Sequence, residues 1–137
     1  MLIPIIIVVL LLGSMSRKTL IIFCLVDGDP TARSFPVSVS AKTTIGELKE
    51  LIKTKKAIDF LDIDADKLTL WLVSHSVIPI NKHNAVLLSA IDSPTELEPT
   101  DSISDIFKEE PVKKTIHIIV QRPPPPQSIQ HALIDGL

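Results

Sequence analysis

The sequence predicts an α+β fold in which a mixed β-sheet packs against one main helix. Three observations support this prediction. Segments rich in Val, Ile, Leu and Phe stand before and after the middle of the chain, as is typical of β-strands. One segment between them has apolar residues at helical spacing. Turn-forming residues separate the segments, so one helix and several strands can bury their apolar faces against each other.

The first two strands are predicted to form a hairpin. The segment KTLIIFCLVDGDP, residues 18–30, is apolar on both faces, as is typical of a central strand, and its last residues predict a turn. The segment SFPVSVS alternates, with Phe35, Val37 and Val39 on one face. Because Pro36 has no backbone N–H, we expect this second strand at an edge of the sheet.

The segment TTIGELKELIKTKK predicts the main helix. Thr44 and Glu47 have the spacing of a capping box, in which each side chain bonds a free backbone N–H of the first turn. Lysines collect at the other end, where the helix dipole favours cations. The apolar stripe of the helix is predicted to comprise Ile45, Leu48, Leu51 and Ile52.

The stretch DADKLTLWLVSHS contains the next predicted strand and the single tryptophan. Alternation places Leu68, Leu70 and Leu72 on the face that packs against the helix, and Thr69, Trp71 and Val73 on the other face. We expect that other face to be largely uncovered, so Trp71 is a candidate for contact with a partner. The alternative is that Phe23 packs against Trp71. A partner contact predicts that Trp71→Ala leaves the fold intact and weakens binding.

Three segments complete the predicted domain. AVLLSAI predicts a strand or a short helix, TDSISDIF a short capped turn, and KTIHIIVQR a final strand that ends before the prolines. The residues expected to be buried are Ile103, Ile106 and Phe107 in the turn, and Ile116, Ile118 and Val120 on one face of the strand. The resulting order of strand, strand, helix, strand, irregular stretch and strand is that of the ubiquitin-like β-grasp fold.

Both ends of the chain are predicted to lie outside a single globular domain of residues 15–122. The apolar run of residues 2–12 is shorter than the ~20 residues that cross a bilayer, so we expect no stable membrane span. Residues 1–14 are interpreted as a signal peptide or as a misannotated extension, with membrane association as a third alternative. Residues 123–137 are predicted to be a disordered proline-rich tail, either a stiff spacer or a ligand for SH3 or WW modules.

Candidate catalytic and metal-binding residues are few. The acidic residues Asp62, Asp64 and Asp66 lack the glycine and the glutamate that complete a calcium loop, and the four histidines show no ligand spacing. Cys24 lies in an apolar strand, so we expect a core thiol. No glycine-rich phosphate loop is present, and the net charge of −2 gives no attraction to nucleic acid. We therefore predict that the protein is not an enzyme and needs no cofactor, metal or small-molecule substrate.

A family resemblance comes from LIIFCLVDGD, TIGELKELIKTKK, IDADKLTLWLVS and KKTIHIIVQRP, taken in that order. Over residues 18–123 the chain resembles the N-terminal ubiquitin-like domain of Crinkler effectors of oomycetes and fungi. The family's Leu-Phe-Leu-Ala-Lys-like delivery motif corresponds, with departures at its last two positions, to Leu70, Trp71, Leu72, Val73 and Ser74. The motif that ends this N-terminal domain in the family corresponds to His117, Ile118, Ile119, Val120 and Pro123.

The resemblance implies a secreted effector that reaches a host cell. The ubiquitin-like domain would be non-catalytic and would mediate secretion, translocation and interaction with a host or self protein, while the C-terminal effector domain of full-length relatives would be absent. The alternative is an intracellular, cytoplasmic ubiquitin-like adaptor that binds a small GTPase or another protein by strand addition. Its edge would be the strand that contains Pro36, with Arg33 and Lys42 as charged contacts.

Overall fold

A computed structural model describes residues 19–124 of the chain. The elements in chain order are strands β1 (Thr19–Val26) and β2 (Phe35–Ser40), helix α1 (Ile45–Lys55), strands β3 (Thr69–Ser76) and β4 (Thr95–Glu96), helix α2 (Ile103–Ile106) and strand β5 (Thr115–Gln121). The sheet order is β2-β1-β5-β3-β4. β1 and β5 are parallel and the other neighbours are antiparallel. The predicted α+β fold with a mixed sheet and one main helix is confirmed; the predictions for residues 1–14 and for the tail after residue 124 lie outside the described residues.

The predicted hairpin of β1 and β2 is present, and β2 lies at an edge of the sheet. Gly28 has φ of +93° in the connecting turn, a conformation that L-residues with a side chain rarely adopt. Pro36 stands opposite Phe23, where its missing N–H costs the sheet little because no further strand follows among the described elements.

The capping box of α1 is present as predicted. The Thr44 side chain accepts a hydrogen bond from the Glu47 backbone N–H, and Glu47 Oε1 accepts one from the Thr44 backbone N–H at 3.1 Å. The predicted apolar stripe is wrong at Leu51, whose side chain is 40% exposed. Leu51 lies about 120° around the helix from Ile45, because successive residues turn by roughly 100°. The stem of Lys49, which is 7% exposed, occupies the buried stripe instead.

The main core lies between the sheet and α1. It joins the buried stripe of the helix to the inner faces of the strands and to the turn around α2. Its buried members include Val37, Val39, Ile45, Leu48, Ile52, Phe60, Leu68, Leu70, Ile103, Ile118 and Val120. Leu72, Ile106 and Phe107 are partly buried against it, so the predicted inner faces of the hairpin, of β3 and of the capped turn are confirmed.

A second core lies on the opposite face of the sheet, and the expectation that this face is uncovered is wrong. Its buried residues are Leu25, Val73, Val86, Leu88, Ile116 and Ile119. The β3–β4 connection, residues 77–94, covers this face and supplies Val86 and Leu88 to the second core. This connection is called the cover, and two hydrogen bonds hold it in place. The Gly28 N–H donates to the Val86 carbonyl at 2.8 Å, and the Leu88 N–H donates to Asp27 Oδ1 at 2.8 Å. The segment AVLLSAI forms a 3-10 turn, Leu88–Ala90, within this cover.

The prediction that Ile116 shares a face with Ile118 and Val120 is also wrong. Ile118 and Val120 pack in the main core, whereas Ile116 packs in the second core. The change of face coincides with a register shift, because two residues of β3 lie between Leu72 and His75 where β5 has one. The alternation of β5 changes phase at that point.

Candidate interaction surface

The five residues that correspond to the delivery motif all lie on β3, and most of them contribute to the two cores. Leu70 is 0% exposed in the main core, and Val73 is buried in the second core. Leu72 is partly buried and Ser74 is exposed. In the folded domain, Ser74 is therefore the member of this segment whose side chain is most open to a partner.

Trp71 is partly buried against the second core, and Phe23 packs against the same cluster. The indole Nε1–H donates to Gln121 Oε1 at 3.0 Å, which ties β3 to the end of β5. Tryptophan satisfies its polar N–H in this way when its ring is half-buried. These contacts favour the packing interpretation of Trp71.

The residues that correspond to the family's motif at the end of the N-terminal domain form the middle of β5. His117, Ile118, Ile119 and Val120 are buried, and Pro123 is partly buried just after the strand. Both faces of β5 are covered, since Ile118 and Val120 pack in the main core and Ile119 packs in the second core, which explains why consecutive apolar residues are accommodated there.

Both ring nitrogens of His117 have backbone hydrogen-bond partners. The Phe23 N–H donates to Nδ1 at 3.0 Å, so Nδ1 accepts and carries no proton. Nε2 lies 2.7 Å from the Val112 carbonyl, so Nε2–H donates there. The rings of Phe107 and His117 pack edge to face, with their centroids 6.0 Å apart. His117 thus joins β1, β5 and the segment before β5 through its two ring nitrogens.

Among the described residues, the other groups that could bind a metal or act as a nucleophile are either buried in a core or not clustered with one another. Cys24 is buried, and desolvation raises the pKa of its thiol far above the ordinary value, so the thiolate is strongly disfavoured. Residues 19–124 bring together no group of three or more His, Cys, Asp or Glu side chains that could hold a metal. Within the same residues no helix is long and apolar enough to cross a bilayer.

Two sheet edges could receive a partner strand. The outer side of β2 is one, with Arg33 just before the strand and Lys42 just after it, both exposed. The other is the second half of β3, since β4 pairs only with Trp71 and Leu72. Sequence reasoning missed this second edge because β4 has two residues and no recognisable strand pattern.

Sequence reasoning also missed a cavity of about 400 Å³ that lies beside the second half of β3. Its lining includes Thr31, a buried residue of the connection between β1 and β2. No local signal marks this residue, because the cavity is built from segments that are distant in sequence.

Strand order, the single main helix and the position of the predicted motifs define a ubiquitin-like β-grasp domain. Sequence comparison shows the particular family: residues 20–121 match the profile of the Crinkler effector protein N-terminal domain, and the chain belongs to that family.

Two curated relatives agree with this family. The chain is similar to Crinkler effector protein 1 of Rhizophagus irregularis, with 31% identity over 103 residues, which cover 74% of this chain and 21% of the relative. It is also similar to Crinkler effector protein 108 of Phytophthora sojae, with 45% identity over 51 residues, which cover 37% of this chain and 6% of the relative. The chain therefore spans about a fifth or less of the length of these relatives. No solved structure matches it.

Proposed function

We propose that this chain is a secreted effector whose ubiquitin-like domain is a non-catalytic module for secretion, translocation into a host cell and interaction with a host or self protein. The observation that carries the proposal is the family match over residues 20–121. Both relatives are named effector proteins, and each extends well beyond the matched region.

Two buried groups support the non-catalytic part of the proposal. The imidazole of His117 is committed to two backbone hydrogen bonds and has no lone pair or N–H left for a substrate. The thiol of Cys24 is inside the main core, and its raised pKa disfavours the thiolate that a nucleophile needs. These are the groups of β1 and β5 that a catalytic role would most readily use.

Most of the delivery-motif segment is buried, which limits the residues through which it can contact a partner. Leu70 and Val73 are core residues, so a partner that meets the folded domain contacts the segment through Ser74 and through the backbone of β3. We propose that the leucines and Trp71 act by maintaining the fold, while the end of β3 is the part that a partner contacts.

The proposal is tested by following the protein with a C-terminal tag in the producing organism and in host tissue. Mass spectrometry of the mature N-terminus is the decisive readout, with a variant that lacks residues 1–14 as the control. If the protein is secreted, the tagged protein is expected outside the producing cells with a new N-terminus. The variant that lacks residues 1–14 is expected to stay inside them. Recovery of the protein only from the producer's cytosol, with Met1 intact, would refute the proposal.

The alternative function is an intracellular adaptor that binds a small GTPase or another protein by strand addition. The position of β2 at the sheet edge favours it, since Pro36, Ser38 and Ser40 are exposed and Arg33 and Lys42 flank the strand. A pull-down with GTPases in both nucleotide states distinguishes it, because an adaptor of this kind retains one nucleotide state and a translocation module retains neither.

A further inference from the structure

The second half of β3 has an open side. β5 pairs with β3 from Thr69 to Ser76, whereas β4 pairs only with Trp71 and Leu72 on the other side. Within the part of the chain that the structure describes, no strand continues beside residues 73–76. A strand edge of this kind presents backbone donors and acceptors that an added strand can use.

The cavity of about 400 Å³ lies along this open side. Residues 74–76 of β3 form one wall, and the covering connection forms the other through Val86, Leu87 and Ile91. The cavity is therefore a groove between a strand edge and a partly apolar wall. Its volume is within the range of about 300–1,000 Å³ that is typical of ligand sites.

The charges of the lining decide which ligand fits. The polar side chains of the groove are mostly neutral hydroxyl and amide groups, with His75 and the carboxylate of Asp92 as its titratable members. Neutral groups that both donate and accept match the amides of a peptide backbone. Asp92 attracts a basic side chain and repels polyanions such as nucleic acid.

We propose that this groove binds an extended peptide of a partner protein, which adds to β3 in the row begun by β4 and places a Lys or Arg side chain near Asp92. The peptide backbone forms hydrogen bonds with the backbone of residues 74–76 of β3. This inference rests on the proposed function and deepens its interaction role by naming the surface and the class of partner.

The test begins with a phage-displayed library of random linear peptides, selected on the purified full chain. The binding peptides are synthesised, and their dissociation constants are measured by calorimetry. Peptides with β-forming residues and a Lys or Arg are expected to be enriched over selection on the bare support. The amide signals of residues 74–76 are expected to move in NMR titrations.

Three variants locate the site. Ala90→Trp fills the groove and is expected to weaken binding at least about tenfold, whereas Ala57→Trp, the matched control, adds the same side chain at an exposed distant position and leaves binding unchanged. Asp92→Asn is expected to weaken binding and reduce its salt dependence.

Three results of the peptide experiments would overturn the inference. The first is that no peptide is enriched over the bare support. The second is that the wild type and Ala90→Trp bind the peptide equally, although thermal unfolding shows that both are folded. The third is that the NMR shifts are confined to β2. Dimerisation of the wild type that Ala90→Trp abolishes, with no peptide bound, would identify a second copy as the occupant and would also refute it. Since the purified chain is used, these results are independent of whether the protein is secreted.

Discussion

The two faces of the sheet are both buried, but they are covered in different ways. The inner face is covered by α1, a capped helix of regular geometry whose apolar stripe packs in the main core with residues from all four long strands. The outer face is covered by residues 77–94, whose only regular structure is two 3-10 turns. A helix covers a face through its periodic side chains, whereas this connection does so through Val86, Leu88 and a few long-range hydrogen bonds.

The difference matters for function because the irregular cover also forms a wall of the groove beside β3. A capped helix leaves little space between itself and the strands. A connection of irregular backbone packs at a few points and leaves space between them, and loops on a rigid scaffold are where binding sites are commonly found.

The largest expected effect is the loss of stability when each core loses one leucine side chain. Leu70→Ala in the main core is expected to reduce the free energy of unfolding by about 3–5 kcal/mol, because a fully buried cavity results. Leu88→Ala in the second core is expected to cost about 2 kcal/mol, since the connection can relax into the space. Urea unfolding of both variants measures the difference. Equal losses would show that the two covers are equally rigid.

His117→Leu is expected to be the next most destabilising change. It removes a buried imidazole that bonds the partly buried Phe23 N–H and the carbonyl of the exposed Val112, and the loss of these two hydrogen bonds is expected to cost about 1–3 kcal/mol in total. Urea unfolding measures the loss, and His83→Leu, at an exposed position, is the control. A His117→Leu variant as stable as the control would show that the imidazole does not join the three segments.

Trp71→Phe is expected to have a smaller effect, about 0.5–1.5 kcal/mol, because it removes the hydrogen bond to Gln121 and keeps an aromatic ring against the second core. A double-mutant cycle with Gln121→Ala isolates that bond. The cycle is expected to give a positive coupling energy. Zero coupling, together with weakened partner binding in a stable Trp71→Ala variant, would restore the interpretation of Trp71 as a contact residue.

The smallest expected effect is on the pH dependence of stability, to which the carboxylates of the two capping boxes contribute. Hydrogen bonds from Thr44 hold the pKa of Glu47 below its ordinary 4.5, and those from Ser102 hold the pKa of Asp105 below its ordinary 3.8. Both carboxylates therefore stabilise the fold above the unfolded-state pKa values, and this contribution is lost as the pH falls through the folded-state values.

Unfolding measured between pH 6 and the acid limit is expected to show a gentle decline that the double variant Glu47→Gln, Asp105→Asn partly removes. The matched control is Glu50→Gln, on the exposed face of α1. An identical acid profile for wild type and the double variant would show that the capping carboxylates do not contribute to the pH dependence.

Local patterns predicted most of the inner face, because its elements are regular. The capping box, the alternation of β2 and the leucines of β3 all depend on residues close in sequence. The prediction for Leu51 is wrong because Leu51 lies at the border of the helical stripe, and the prediction for Ile116 is wrong because the register between β3 and β5 shifts beside it.

The outer face and the groove could not be predicted for a different physical reason. The cover depends on contacts between residues distant in sequence, such as the bond between Asp27 and Leu88. Thr31 and Asp92 belong to the same groove although 60 residues of chain separate them. Periodicity carries no information about such contacts.

The sheet buries two cores, and the β3–β4 connection covers the second. Nuclear Overhauser effects between methyl groups report whether this connection packs on the sheet. The structure predicts signals that join Val86 or Leu88 to Leu25 or Ile119, alongside signals within the main core that report a folded domain. Signals from the main core without any from Val86 or Leu88 to the sheet would contradict the claim.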